Sequence, residues 1–266
     1  MSFMMYDEDD RKGGKGLSSF MDSMKDDVLP KYADFLLLVC CFCSGIVDST
    51  MFNAYNTFVS MQTGNTIFLG LGASHQNTEA FTWARSLTAI GCFIIGSFFF
   101  SRLNFVLGPK KRVTLILSFL IQSILTIITA GLIQGNAIDG RISNPAARHS
   151  STGAPWNQEV PIVLLSIQSA GQIVASRVLG YNEVPTVVIT SLLCDLMADP
   201  KIFLLKNKKR DRRVVAFLLT LIGAIAGGWI SKAADSVSPG LWIVGGIKFC
   251  IAVAWFFWGT ETKEEL

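Results

Sequence analysis

The chain has 266 residues, of which 50% are hydrophobic and 16% charged, with a net charge of +3. Soluble domains carry about 25% charged residues, so this composition excludes an ordinary soluble fold. At about 20 residues per span, the length accommodates six or seven membrane helices, with no room for a soluble domain besides.

In chain order, residues 1–32 read as a polar tail with the acidic run Asp7-Glu8-Asp9-Asp10 and no apolar region of a secretory signal. Leu17, Phe20, Met21, Met24 and Val28 have helical spacing before Pro30, which fits either a short helix lying on the membrane surface or a frayed tail. Apolar spans are predicted at Ala33–Ala54, Phe81–Leu107, Val113–Gln134, Val160–Gly180, Val214–Ala234 and Leu241–Trp258, with short apolar segments at Thr57–Gly72 and Thr186–Met197. Between them lie the basic turn Gly108-Pro109-Lys110-Lys111-Arg112, a polar loop Asn136–Glu159, and the basic loop Asp199–Arg213. A charged tail, 259–266, closes the chain.

The six cysteines all lie in apolar or amphipathic segments, which excludes a disulfide framework. Cys40-Cys41-x-Cys43 points in three directions on a helix and has no nearby His, so it reads as packing and not as a metal site. No cofactor is expected. His75 and His149 fall in loops, and no metalloprotease, nucleophile-elbow or phosphate-loop motif occurs, so no enzyme is indicated. The basic loop lacks interleaved aromatics and fits topology and anionic lipid, not nucleic acid.

The stretch from Gly45-Ile46-Val47-Asp48 to Gln62-Thr63-Gly64-Asn65 carries an acid, amides and hydroxyls inside apolar sequence. A carboxylate in lipid is costly, so such residues face protein or a wet cavity. Thr63-Gly64-Asn65 is poor helix sequence. It fits a break followed by a short half-helix, with Gly64 leaving helical dihedrals. The alternative is a helical hairpin that turns at Tyr55-Asn56, with Thr63-Gly64-Asn65 packed on a neighbour.

Gly45-x-x-Asp48 followed by Phe58-Val59-Ser60-x-Gln62-Thr63-Gly64-Asn65 resembles the signature of the YoaK-like proteins, small multi-pass membrane proteins of bacteria and fungi classed as a domain of unknown function. Gln168-Ser169, Arg177-x-Leu179-Gly180, Glu183-Val184-Pro185-Thr186, Thr190-Ser191 and Asp195-Leu196 resemble that family's second half. The resemblance runs from about Asp34 to Trp258 and implies an integral membrane fold without an activity.

The two halves also repeat. Ser44-Gly45 precedes Ala54-Tyr55-Asn56 as Ala170-Gly171 precedes Gly180-Tyr181-Asn182, and the same offset carries Val113 to Pro239 and Gln122 to Lys248. Lys and Arg collect in cytoplasmic loops. If both short segments cross, the two basic clusters land on opposite sides; if neither crosses, both lie on one side. That predicts an all-α membrane protein with six spans, two inverted three-helix repeats (33–135 and 160–258), each with a short broken or re-entrant segment. Both termini are then cytoplasmic and 136–159 lies outside, the plasma membrane being the expected location.

Lys248 falls near the middle of span six, too deep to snorkel without strain. Asp48, Glu183 and Asp195 are its candidate carboxylate partners, Asp48 first. Gln168 and Gln172 share a helix face. With Gln122 they either line a pathway or hold helices together. Gly223-x-x-x-Gly227 fits close helix packing inside the fold or in a homodimer. The expected function is a small-solute transporter or permease-like protein. Asp48 with Gln62, Thr63, Gly64 and Asn65 would form one half of its site, and Gln172, Glu183, Thr190 and Ser191 the other. Asp48 or Lys248 would carry a coupling proton. The alternative is a membrane scaffold or assembly factor that transports nothing.

Overall fold

Water is missing from the bilayer core, so apolar runs of this length satisfy their backbone groups by closing helical ladders. The computed structural model describes residues 24–76, 81–142 and 156–259. Among these residues it contains no strand and eight α-helices: α1 (Ala33–Tyr55), α2 (Gln62–Ala73), α3 (Thr82–Leu107), α4 (Arg112–Gln134), α5 (Glu159–Val178), α6 (Ile189–Met197), α7 (Lys208–Ala234) and α8 (Ser238–Phe256). Six of them, α1, α3, α4, α5, α7 and α8, are long and apolar enough to cross a membrane. The predicted spans are therefore present. Two begin several residues earlier than expected: α7 by six, where Asn207 accepts a hydrogen bond from the Arg210 N–H as its N-cap, and α8 by three, at Ser238 with Pro239 in its first turn. Most of the amphipathic stretch Leu17–Val28 lies outside the described residues; its last apolar residue, Val28, is buried.

The bundle is apolar on its outer face as well as in its core, and polar side chains are buried between the helices. Ile94, Ile95, Phe98, Phe99, Phe105, Ile225 and Trp229 are exposed, while Ser44, Ser118, Gln122, Ser123, Gln168, Gln172 and Lys248 are buried. Lipid solvates the first set, and neighbouring helices satisfy the second. Buried hydroxyls return to their own helices, as Thr126 Oγ1 to the Gln122 carbonyl and Thr220 Oγ1 to Ala216. Others tie α4 to α8: Ser123 Oγ donates to the Gly245 carbonyl at 2.8 Å, and Ser238 Oγ to Ala130 at 2.9 Å.

The extensive contacts run α1–α7, α4–α8, α3–α5, α2–α3 and α4–α5, with α1–α8, α6–α7, α7–α8, α3–α4 and α1–α5 smaller. Glycines set the closest of these. A Cβ on Gly45 would land on the Thr220 carbonyl oxygen, and one on Gly223 on the Phe42 carbonyl oxygen, so α1 and α7 meet backbone to backbone. The Gly223-x-x-x-Gly227 pattern is thus spent inside the fold. Gly96 of α3 meets Ile167 and Ala170 of α5 in the same way.

The ends of the helices are stitched separately. At one end Val28 N–H donates to the Lys110 carbonyl, Leu29 N–H to Gly259, and Tyr181 Oη to Pro30. Arg212 there bridges Asp34 and Glu183. At the other end Val237 N–H donates to Gly140, Tyr55 Oη to Asp139, and Arg85 to both the Tyr55 carbonyl and Gln158. The N-terminal segment, the α3–α4 turn, the loop after α5 and the end of α8 therefore share one end.

Candidate functional site

Lys248 lies about ten residues, or about 15 Å, into α8. Its side chain is 0% exposed. Nζ donates to Gln122 Oε1 of α4 at 2.8 Å, to Gln172 Oε1 of α5 at 2.8 Å, and to Gln168 Oε1 of α5. An ammonium has three N–H donors, and the three carboxamides take all of them. A lysine at the centre of a membrane helix costs about 2.5–3.5 kcal/mol on insertion scales. Hydrogen bonds to a charged donor contribute about 1.5–3 kcal/mol each, enough to offset that cost.

The carboxamides are themselves held. Gln172 Nε2 donates to Ser44 Oγ at 2.7 Å and to the Cys40 carbonyl at 3.2 Å. Gln168 Nε2 donates to Ser169 Oγ at 2.8 Å, and Gln122 Nε2 to Ser118 Oγ at 3.3 Å. Each glutamine thus turns its oxygen to the lysine and its amide N–H to a serine. The shared face of Gln168 and Gln172, set by their four-residue spacing, is what lets both reach one nitrogen. Ser118 precedes Gln122 by one helical turn and Ser169 follows Gln168 directly, so both are neighbours along the chain, whereas Ser44 reaches Gln172 from another helix.

The expected carboxylate partners of Lys248 lie elsewhere, which corrects that expectation. Asp48 accepts hydrogen bonds from the Val59 and Ser60 N–H groups, both at 3.1 Å, and from Ser60 Oγ. Glu183 pairs with Arg212 at 2.7 Å. Asp195 sits on the exposed helix α6, 3.9 Å from Arg213. The reason is local: two backbone N–H groups and a hydroxyl, delivered by the chain turning back onto α1, satisfy Asp48 where it stands.

The break is also displaced from Thr63-Gly64-Asn65. α1 ends at Tyr55, with Asn56 in the left-handed region (φ 53°). The chain then folds back along α1 until Val59 and Ser60 meet Asp48, about 10 Å from the helix end. α2 restarts at Gln62, so Thr63, Gly64 and Asn65 form its first turn with Gly64 in helical conformation. A helix, a break and a short helix are thus present, but the break falls at 56–61, where the alternative reading put its turn. Fully buried Asn65 clamps the turn: Oδ1 accepts from the Phe58 N–H at 3.1 Å, while Nδ2 donates to the Phe58 carbonyl and to Gln62 Oε1. Gly64 leaves room for the Phe58 ring, which a Cβ would approach at 2.9 Å. In the second half, Ser176 Oγ donates to the Val184 carbonyl, and buried Thr186 adopts φ 58°.

The thirteen predicted residues therefore separate into groups. Gln122, Gln168, Gln172 and Lys248 converge at the centre. Asp48, Gln62, Gly64 and Asn65 build the turn between α1 and α2. Thr63, Thr190, Ser191 and Asp195 are exposed on the flanking helices α2 and α6, and Glu183 belongs to the ion-pair cluster at one end. A cleft of about 630 Å³ opens at the other end, where Gln134 and Trp242 mark the seam between α4 and α8.

Six apolar-faced spans around a polar centre define a multi-pass integral membrane protein. The family model described as a protein of unknown function, DUF1275, matches residues 36–254. The chain belongs to that family. It is similar to the UPF0700 transmembrane protein YoaK of Bacillus subtilis (strain 168), 29% identical over 204 residues that cover 73% of this chain and 82% of the relative. No solved structure matches.

Proposed function

We propose that this membrane protein is a small-solute transporter or permease-like protein whose site lies at the interface of two inverted repeats. One observation carries the reading: a fully buried lysine nitrogen at mid-span, held by neutral carboxamides of two other spans. Charged groups placed so deep are expensive and mark substrate or ion pathways.

The packing supports the repeat. Exchanging α1 with α5, α2 with α6, α3 with α7 and α4 with α8 turns α1–α7 into α5–α3, α4–α5 into α8–α1 and α2–α3 into α6–α7, each of which is a contact of the bundle. Gln122 and Lys248, equivalent by the repeat offset, touch one another, as residues on a pseudo-two-fold axis do. Three spans per half make such repeats inverted. The end carrying Lys110, Lys111 and the loop before α7 is rich in basic residues, which supports placing it and both termini in the cytoplasm. In that orientation the cleft over the α4–α8 seam faces outside.

The test is reconstitution into proteoliposomes with solid-supported membrane recording across a panel of small ions, carboxylates, amines and sugars. Solute-evoked charge movement or counterflow is expected in the native protein and is lost in Lys248→Met. A folded, correctly inserted protein that moves none of these classes would favour the scaffold alternative.

A further inference from the structure

Resting on that transport reading, we infer that the Lys248 cage is an anion site and that the solute it takes is a small monovalent anion. Three acceptor oxygens around Nζ call for three N–H donors, which only the charged ammonium has, and all three are neutral dipoles. Asp48, the other buried charged group of the bundle interior, is occupied by two backbone N–H groups and Ser60. The cage thus holds one unbalanced positive charge in a medium where charge is costly, and a single negative charge cancels it. A divalent anion would leave a charge over, and a cation would face repulsion.

The carboxamides give the cage a second setting. Each is backed by a serine hydroxyl: Gln122 by Ser118, Gln168 by Ser169, Gln172 by Ser44. A hydroxyl both donates and accepts. Rotating a glutamine amide by half a turn lets the serine donate to Oε1, so the backing hydrogen bond survives, while the NH₂ now points inward. Oxygens facing inward suit the bare ammonium, and NH₂ groups facing inward suit an anion seated beside it. The Ser44 hydroxyl, which donates to the Cys40 carbonyl at 3.1 Å, turns to Gln172 Oε1 in this exchange; the Cys40 carbonyl then gives up both Gln172 Nε2 and Ser44 Oγ and keeps its ladder bond within α1. Lysine, three glutamines and three serines thus form a receptor that closes on itself when empty and reverses its dipoles when filled.

Thermal unfolding of the purified full chain in detergent tests this. Sodium gluconate is replaced at constant ionic strength by sodium chloride, nitrate, formate or acetate. At least one small anion should raise Tm with saturation. The rise should vanish in Lys248→Met and in Gln172→Glu, whose carboxylate supplies a built-in counterion, and persist in the loop variant Lys206→Met. Gln172→Glu itself should melt in gluconate no lower than the native protein. No anion-dependent shift in the native protein, or an undiminished shift in Gln172→Glu and Lys248→Met, overturns the inference. Flux of a neutral or cationic solute with no anion requirement also overturns it while leaving transport intact. Saturable anion binding without flux keeps the site and sinks transport.

Discussion

Gly223 and Gly228 lie on the same helix, five residues apart, yet alanine should act on them with opposite sign. A Cβ at Gly228 has nothing within 4 Å. Alanine there removes a helix-interior glycine and should stabilise by up to about 1 kcal/mol. A Cβ at Gly223 would fall on the Phe42 carbonyl oxygen, with the Phe42 carbonyl carbon at 3.0 Å and its Cα at 3.1 Å. All three are backbone atoms, so no rotamer relieves them, and ordinary carbon contacts need about 3.5–4.0 Å. The α1–α7 pair must separate, losing the reciprocal contact of Gly45 with Thr220 as well. Overpacking costs about 1–3 kcal/mol, and a purely backbone clash belongs at the upper end, so the propensity gain is outweighed and a net loss of about 2 kcal/mol is expected. Thermal unfolding in detergent with a thiol-reactive dye reads this directly, because Cys40, Cys41 and Cys43 are buried on α1. Cys194 and Cys250 are exposed and label at the outset, giving an internal baseline. Gly223→Ala as stable as the native protein, or Gly228→Ala losing as much, would refute the backbone-contact argument.

Three further outcomes are expected. Lys248→Met should destabilise the protein in a detergent unfolding titration, because it strands three glutamine oxygens at about 1–3 kcal/mol each, partly offset by removal of the buried charge. Lys206→Met, at an exposed loop position, should stay within about 0.5 kcal/mol, and equal small effects would mean that the cage contributes nothing. Asn65→Leu should cost about 3 kcal/mol by unpairing the Phe58 backbone groups and Gln62. Gly64→Ala should stay within about 1 kcal/mol as helix propensity and the Phe58 contact oppose each other, and a silent Asn65→Leu would remove Asn65 as the clamp. Near Asp199, the hydrogen bond from Asn207, with the Lys201 N–H, holds the carboxyl below its ordinary range. The stabilisation is present above the ordinary carboxylate pKa and is lost as pH falls through the lowered folded value. Hydrogen exchange at 199–208 should therefore rise on acidification in that window, and Asp199→Asn should abolish the dependence.

Much of the fold is legible in order along the chain. Span number and limits follow from apolar run length, because lipid forces each run to close its own hydrogen bonds. The mid-span depth of Lys248, its repeat relation to Gln122 and the shared face of Gln168 and Gln172 are all properties of position along single helices, so they too are read without a structure. Partner choice is different. Asp48 looked like the counterion of Lys248 because opposite charges attract, but proximity in three dimensions decides which attraction is realised. The chain returning after Asn56 reaches Asp48 first with two N–H groups, and the crossing of α4, α5 and α8 brings neutral amides to the lysine. Gly64 looked like the break because glycine is permissive. The turn instead falls at Asn56, where the left-handed residue ends α1, and Gly64 serves a ring contact that no local preference encodes. The pairing of Ser44 with Gln172, and the backbone-to-backbone seam at Gly45 and Gly223, likewise exist only once helices far apart in sequence are packed, since each is a distance between atoms that no single helix contains.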